Sequence, residues 1–149
     1  AVDQFDHDGG NSPGDDDGFL TVYVYGAGAA LTADQKSELQ TAMQAQCASI
    51  LTMTVEHATS VSVNVTAAIT KATGYDTDEL EAAIEDALAS VWSWQTSGFG
   101  ADVEPLDVQA VIEAVPGVDS VTSLTLPSTT AAVAFDEFAV IGTVSLTIT

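Results

Sequence analysis

Cys47, His7, His57 and several close pairs of carboxylates are the side chains in this chain that could do chemistry. Cys47 is the single cysteine, so no intrachain disulfide can form, and a thiol needs a nearby base to act as a nucleophile. Neither histidine suits that role, since His57 ends a predicted strand and His7 lies in an acidic leader. The apolar residues around Cys47 in a predicted helix favour a structural thiol in the core.

The acidic leader, residues 1–18, carries the side chains that could hold a metal ion. Carboxylate oxygens are the ligands that Ca²⁺ and Mg²⁺ prefer, and Asp6, Asp8, Asp15 and Asp17 are the candidates. Their spacing does not fit the EF-hand loop, which ends on a Glu at its twelfth position. A solvated, flexible linker without metal is therefore the favoured interpretation of this segment.

Carboxylates also lie close to another titratable side chain at Glu56-His57, Asp102 to Glu104, and Asp136-Glu137, but acidic neighbours are expected by chance in so acidic a chain. The sequence contains no P-loop, zinc-ligand spacing or nucleophile elbow. The glycines of Gly26-Ala27-Gly28 lack the third glycine of a dinucleotide loop, because Leu31 occupies that place, so a simple turn is favoured. We expect no enzymatic activity and no cofactor.

Charge narrows the possible partners and surroundings. The chain of 149 residues has 22 Asp plus Glu against 2 Lys plus Arg, a formal charge of −20, and yet 46% hydrophobic residues, which is too apolar for a disordered tail. Like charges repel over a screening length of roughly 8 Å at 0.15 M salt and about 3 Å at 1 M. This favours adaptation to molar salt, as in a halophile. Two lysines also argue against binding nucleic acid or an anionic membrane.

Hydrophobic periodicity places these residues on regular elements. We expect strands at 20–25, 52–56 and 60–70, and a long helix over 31–51 that Thr32 and Gln35 begin as a capping box. Asp76 or Thr77 begins a second helix, which turns an apolar face to the core. That face comprises Leu80, Ala83, Ile84, Ala87, Leu88, Val91 and Trp92.

The C-terminal part repeats the alternation of helix and strand at smaller scale. Pro105 fits a first helical turn, and Val108, Val111, Ile112 and Val115 recur at three- and four-residue spacing before Pro116-Gly117 ends the helix. Val118, Val121, Leu124 and Leu126 then mark a strand with imperfect alternation. The sequence therefore predicts an α+β fold, a ferredoxin-like βαββα sandwich followed by a small C-terminal module. The predicted divisions are a leader at 1–18, the sandwich at 19–97 and the module at 98–149.

Two tryptophans lie close to the predicted end of the second helix. Two positions on a helix differ by about 200° of rotation, so Trp92 and Trp94 cannot both face the same core, and either one of them lies near the surface or the helix has ended. Tryptophan is a frequent anchor of protein interfaces. We expect Trp94 and Phe99, with Phe138 further along the chain, to form an interface, either with a neighbouring subunit or only with the C-terminal module.

The helix from Pro105, the Pro116-Gly117-Val118 turn and the strand after it resemble the C-terminal part of the baseplate J-like family, the wedge proteins of phage tail baseplates and related contractile injection machines. Upstream, Ser12-Pro13-Gly14, the strand at 20–25 and the helix at 31–51 fit the family's order of elements. Downstream, Asp136-Glu137-Phe138 leads through Gly142 to a last strand at 143–148. The resemblance covers residues 19–149, and the N-terminal region of longer members is absent from this sequence.

The resemblance implies a structural protein of the virion that assembles in the host cytoplasm into a ring around the tail tube. Its partners would be neighbouring wedge subunits and hub or tail-tube proteins. Together with the acidic composition, it points to a virus of halophilic archaea. The alternative is a binding module of another class, an acidic adhesion or calcium-dependent domain on a halophile's exterior.

Overall fold

The computed structural model describes residues 2–6, 18–25, 30–46 and 51–149, which form three helices and six strands. Helices and strands are mixed along the chain, which confirms the predicted α+β class. The chain divides into two units, residues 1–59 (unit 1) and residues 60–149 (unit 2). The elements are β1 (Val2–Asp6), β2 (Gly18–Val24), α1 (Ala33–Gln44), β3 (Leu51–His57), β4 (Thr59–Lys71), α2 (Thr77–Val91), α3 (Pro105–Glu113), β5 (Val118–Leu126) and β6 (Glu137–Ile148).

Unit 1 contains a three-stranded sheet in the order β1-β2-β3. β2 and β3 run parallel, which requires a crossover between them, and α1 lies on that crossover. β1 pairs antiparallel with β2, so residues 2–6 of the predicted flexible leader form a strand. The backbone of β1 therefore hydrogen bonds to an existing strand, and the flexibility of the leader stays a prediction. The described apolar residues buried in this unit are Val22, Met53, Val55 and Ala58.

α1 begins as the sequence predicts and ends earlier. Thr32 Oγ1 accepts a hydrogen bond from Gln35 N, and Gln35 Oε1 accepts one from Thr32 N, which completes the capping box. The helix ends at Gln44, so the predicted helical span to residue 51 is too long. Leu51 instead begins β3, and residues 47–50 lie outside the described residues.

Unit 2 contains a second three-stranded sheet in the order β5-β4-β6. β5 is antiparallel to the central strand β4. Thr149 N donates to Ile69 O, and Thr149 O accepts from Lys71 N, both at 2.9 Å. Thr149 thus bonds to Ile69 and to Lys71, the two residues on either side of one position of β4. Parallel strands bond in this way, so β6 runs parallel to β4.

Pairing between β4 and β5 explains the imperfect alternation of β5. Moving along β4 from Lys71 to Thr66, the partners are Val118, Ser120, Val121, Ser123, Leu124 and Leu126, with three register shifts. Each shift places an extra residue in β5, as a β-bulge does. The bulges bring Val118, Val121 and Leu124 against the core although they are three residues apart.

The core of unit 2 lies between its sheet and the two helices α2 and α3. Alternate residues of β4 face it, and Val63, Val65, Ala67 and Ile69 are at most 4% exposed. α2 contributes Leu80, Ile84 and Leu88, as predicted, whereas Val91 is 40% exposed, contrary to prediction. α3 contributes Val108 and Ile112, followed by Val115, and Val111 is partly buried against the same core.

This arrangement differs from the predicted domain organisation. β2 and β3 pair in one sheet and β4 in another, so the strands of the expected βαββα sandwich are not joined in a single sheet. The predicted boundary between residues 97 and 98 falls inside unit 2, and the observed division is at Thr59/Ser60. The physical reason is that β5 and β6, assigned to a separate module, hydrogen bond to β4 and complete its sheet.

Candidate interaction surface

The segment after α2 separates the two tryptophans. Trp92 caps the helix, its N–H donates to Leu88 O at 3.0 Å, and its side chain is only 9% exposed in the core. Trp94 is 43% exposed. One indole therefore stabilises the core of unit 2 while the other lies at its surface, and because α2 ends at Val91, it is the turn after the helix that separates them.

A short turn holds Trp94 in place. Ser97 N donates to Ser93 O at 2.8 Å, and Thr96 Oγ1 donates to Val91 O at the end of α2, also at 2.8 Å. The Ser93 and Thr96 hydroxyls lie 2.8 Å apart and share a further hydrogen bond. Small hydroxyl side chains commonly bond to nearby backbone groups in turns, which is why the helix ends here in an ordered loop.

Two irregular segments, residues 97–104 and 130–139, hydrogen bond to each other beyond this turn. Val103 and Ala131 exchange both backbone hydrogen bonds, at 3.0 and 2.9 Å. Gly100 N donates to Glu137 O at 3.0 Å, and Ala139 N donates to Ser97 Oγ at 3.1 Å. These bonds fix one segment to the other at the start of β6.

Aromatic side chains concentrate on these paired segments. Phe99 and Phe138 form an antiparallel bridge, and their rings lie 6.0 Å apart at 78°, an edge-to-face arrangement. Gly100 has φ +65°, and a Cβ there would lie 3.2 Å from Phe135 Cα, so glycine allows the two segments to approach. The Phe135 side chain is 52% exposed. We call Trp94, Phe99 and Phe135 the aromatic end of unit 2.

The structure assigns different positions to the three predicted interface residues. Trp94 is exposed and Phe99 is partly exposed, so both have surface that a partner can contact. Phe138 is 1% exposed and packs inside unit 2, which leaves its ring no surface for a partner. Sequence reasoning missed Phe135, and the signal that could have found it is a large apolar residue directly before Asp136-Glu137.

Carboxylates that are close in sequence act as hydrogen-bond acceptors on the same paired segments. Asp102 Oδ1 accepts from Val133 N at 2.8 Å, Glu104 Oε2 from Thr130 Oγ1 at 2.9 Å, and Glu137 Oε2 from Ala134 N at 3.1 Å. Hydrogen bonds to an ionised acceptor are stronger than neutral ones. These acids therefore hold the loops that carry the aromatic end.

Both lysines of the chain hydrogen bond within their own unit. Lys36 Nζ pairs with Glu56 Oε2 at 2.9 Å. Lys71 Nζ donates to Tyr75 O at 3.0 Å and to Thr77 Oγ1 at 2.9 Å, which ties the end of β4 to the start of α2. Neither lysine belongs to a basic surface of the kind that binds phosphates. No described helix is long and apolar enough to cross a membrane.

The remaining candidates for chemistry do not converge. His57 stacks on Tyr25 with ring centroids 5.5 Å apart, and its Nδ1 is buried without a hydrogen-bond partner among the described residues. The neighbouring Glu56 carboxylate is paired with Lys36. Asp6 lies on β1, and no group of metal-ligating residues occurs in the described ranges. Cys47, His7, Asp8, Asp15 and Asp17 lie outside the described residues.

Comparison with known proteins adds one result to this geometry. The profile of a family described as the Baseplate J-like protein C-terminal domain matches residues 63–147, more than half of the 149 residues. The match begins in β4, ends in β6 and lies within unit 2. No curated protein matches the chain.

Proposed function

Because the chain belongs to the family of the baseplate J-like protein C-terminal domain, we propose that it is a structural part of a viral tail baseplate, a wedge protein that assembles in a ring around the tail tube. The match of residues 63–147 carries this proposal. It spans the central strand, both helices and the outer strands of unit 2, so it supports the whole unit rather than a local motif. The helix, turn and strand over residues 105–126 that resemble the family lie inside the same region.

The aromatic end supplies a contact with a neighbouring subunit. Trp94 and Phe135 are 43% and 52% exposed on segments that hydrogen bonds hold in place. Large aromatic side chains on ordered backbone bind partners well, because they bury much apolar area and lose little conformational freedom. When such a surface meets a different surface on the next copy, head-to-tail contacts close into a ring. Neighbouring wedge subunits and hub or tail-tube proteins are the proposed partners.

The proposed setting is the virion tail of a virus of halophilic archaea, with assembly in the host cytoplasm. The formal charge of −20 makes copies of the chain repel each other at low salt. At about 3 M KCl the screening length is below roughly 3 Å, so a close-packed ring of such subunits becomes possible. Both lysines hydrogen bond inside the protein, which supports protein partners rather than nucleic acid.

Co-sedimentation with tail particles in about 3 M KCl tests this proposal. We expect the wild-type chain to sediment with the particles, and the double variant Trp94→Ala/Phe135→Ala to lose most of that binding. Leu106→Ala is the matched control, since Leu106 is a 76% exposed apolar residue on α3 that does not belong to the aromatic end, and it should bind like the wild type. A wild-type chain that ignores tail particles would overturn the proposal.

Calorimetric titration with Ca²⁺ in the same buffer separates the alternative function. A binding heat that disappears when the leader aspartates are replaced by asparagine would favour a calcium-dependent module.

In the co-sedimentation experiment, full binding of the double variant to tail particles would leave the baseplate function standing and exclude the aromatic end as the contact. The two experiments therefore fail independently.

A further inference from the structure

The outer edge of β6 has backbone groups that its own sheet does not use. Thr149 bonds to β4 through both its N–H and its C=O, and Thr143 N points the same way, donating to Asn64 Oδ1 at 2.9 Å. Successive residues of a strand direct these groups to opposite sides. Val144, Leu146 and Ile148 therefore direct theirs away from β4. Within the described residues, β6 ends the order of its sheet, and no strand pairs with it beyond the bridge at Phe138.

This edge lacks the features that normally prevent strand pairing. Natural edge strands are protected by charged side chains, proline or short length. β6 is 12 residues long, and residues 138–149 include no charged residue and no proline. In a chain with 22 acidic residues, a neutral strip of this length is a place where a second copy can approach without setting carboxylate against carboxylate.

The side chains of β6 also favour pairing with a second strand. Val144, Leu146 and Ile148 pack against the core of unit 2 and are only partly buried. Ser145 and Thr147 alternate with them and are exposed. The core is thus incomplete along this edge, and a second apolar strand laid beside β6 would cover it.

We propose that two copies of this chain associate through β6, pairing antiparallel about Leu146 to form a six-stranded sheet. Centring on Leu146 places Val144 of one copy beside Ile148 of the other. All three residues whose backbone groups face away from β4 then form hydrogen-bonded pairs. The symmetry is two-fold, and the same residues contribute from each copy. Main-chain hydrogen bonds then supply much of the affinity, as in other cases of strand addition.

This register sets Ser145 of one copy directly across from Thr147 of the other. Residues at such a non-hydrogen-bonded position lie about 4.5 Å apart at Cα, with side chains on the same face. Both side chains are exposed hydroxyls, so replacing them changes little within one copy. They are therefore the positions at which charge reports on the junction.

Sedimentation equilibrium across salt concentrations tests the proposal with paired charges. We expect the wild type to dimerise, Ser145→Asp/Thr147→Asp to raise the dimer dissociation constant at least about 10-fold at 0.15 M salt, and Ser145→Asp/Thr147→Lys to dimerise at least as well as the wild type. Ser123→Asp/Thr125→Asp is the matched control, because it adds the same charge at exposed positions on β5 and should leave dimerisation unchanged.

Hydrogen exchange at single residues provides the second measurement. In the dimer, the amides of Val144, Leu146 and Ile148 should exchange slowly, and dilution should make them exchange at the rate of unpaired edge amides. A monomer at every concentration and salt would overturn the proposal, and so would a dimer in which these three amides stay unprotected or the Asp/Asp and Asp/Lys variants behave alike. Trp94→Ala/Phe135→Ala leaves β6 intact, so this result is independent of binding to tail particles.

Discussion

Helices α1 and α2 begin alike and are held in opposite ways. Each has a side-chain cap, Thr32 for α1 and Asp76 for α2, and each carries at least one acidic residue in its first turn. Among the 12 residues of α1, all of them described, none is buried. α2 buries Leu80, Ile84 and Leu88 in the core of unit 2. Capping chemistry therefore specifies where a helix starts, and burial decides how strongly it is held.

Two polar contacts join α1 to its sheet. Lys36 pairs with Glu56 on β3, and Gln44 Oε1 accepts from Met53 N on the same strand at 2.8 Å. Exposed pairs of this kind contribute roughly 0–1 kcal/mol, whereas one fully buried aliphatic side chain contributes about 1.5–3 kcal/mol. The stability of unit 1 should therefore depend on salt concentration, and the stability of unit 2 on the volume of its buried side chains.

Removing volume from α2 should have the largest effect. Ile84 is 0% exposed, so Ile84→Ala should lower the free energy of unfolding of unit 2 by about 2–5 kcal/mol. Leu39 on α1 is only partly buried, and Leu39→Ala should cost roughly 1 kcal/mol or less. Urea unfolding in 3 M KCl measures unit 2 by tryptophan fluorescence, because both tryptophans lie there, and unit 1 by circular dichroism. Equal destabilisation of the two units by their respective variants would refute the contrast.

Adding volume to unit 2 should have the next largest effect. Gly117 has φ +104°, and a Cβ there would meet the Tyr75 ring, whereas Gly74 has φ +96° and open space around it. Gly74→Ala should cost about 1–2 kcal/mol from backbone strain alone. Gly117→Ala should cost about 1–3 kcal/mol more, because the ring must move. The same fluorescence measurement gives the difference, and equal costs would mean that Tyr75 swings aside freely.

Removing the Lys36–Glu56 pair of α1 should have the smallest effect on stability, and high salt should abolish that effect. We expect Lys36→Gln to destabilise unit 1 by roughly 1 kcal/mol or less at 0.15 M salt, and not measurably at 3 M. Lys71→Gln is the control, since it raises the net negative charge equally but removes bonds to the neutral Tyr75 and Thr77 oxygens. Its effect should persist at 3 M. Circular dichroism in urea at both salt concentrations measures the two variants.

Local signals in the sequence located most elements of the fold. The capping box at Thr32, the Asp76 cap and Pro105 at a helix start are each where the residue types place them, and the alternation over 60–70 marks β4. α3 and the core contacts of Val108 and Ile112 follow from their spacing. These features depend on residues within one or two turns of each other, which is the range over which sequence pattern is informative.

The candidate surface was predictable only in part. The sequence offers helical rotation or an earlier helix end to separate Trp92 from Trp94, and the structure has the second, since α2 ends at Val91. Phe99 and Phe138 look alike as isolated aromatic residues, and only the bridge between their segments buries one of them. Phe135 is exposed, and Gly100 lets the opposite segment pass close to its backbone. Contacts between residues more than 30 positions apart carry no local signal.

The α+β class, the helix starts, the strand patterns and the strongly acidic character of this protein follow from its order of residues alone. Which strands share a sheet, that three bulges bring Val118, Val121 and Leu124 to one face, and that β6 runs parallel to β4 with one edge open became visible in the folded chain. The physical reason is that capping and periodicity act between near neighbours, whereas strand pairing joins backbone groups that every residue except proline carries. Which of them pair is therefore settled by the burial of the whole unit.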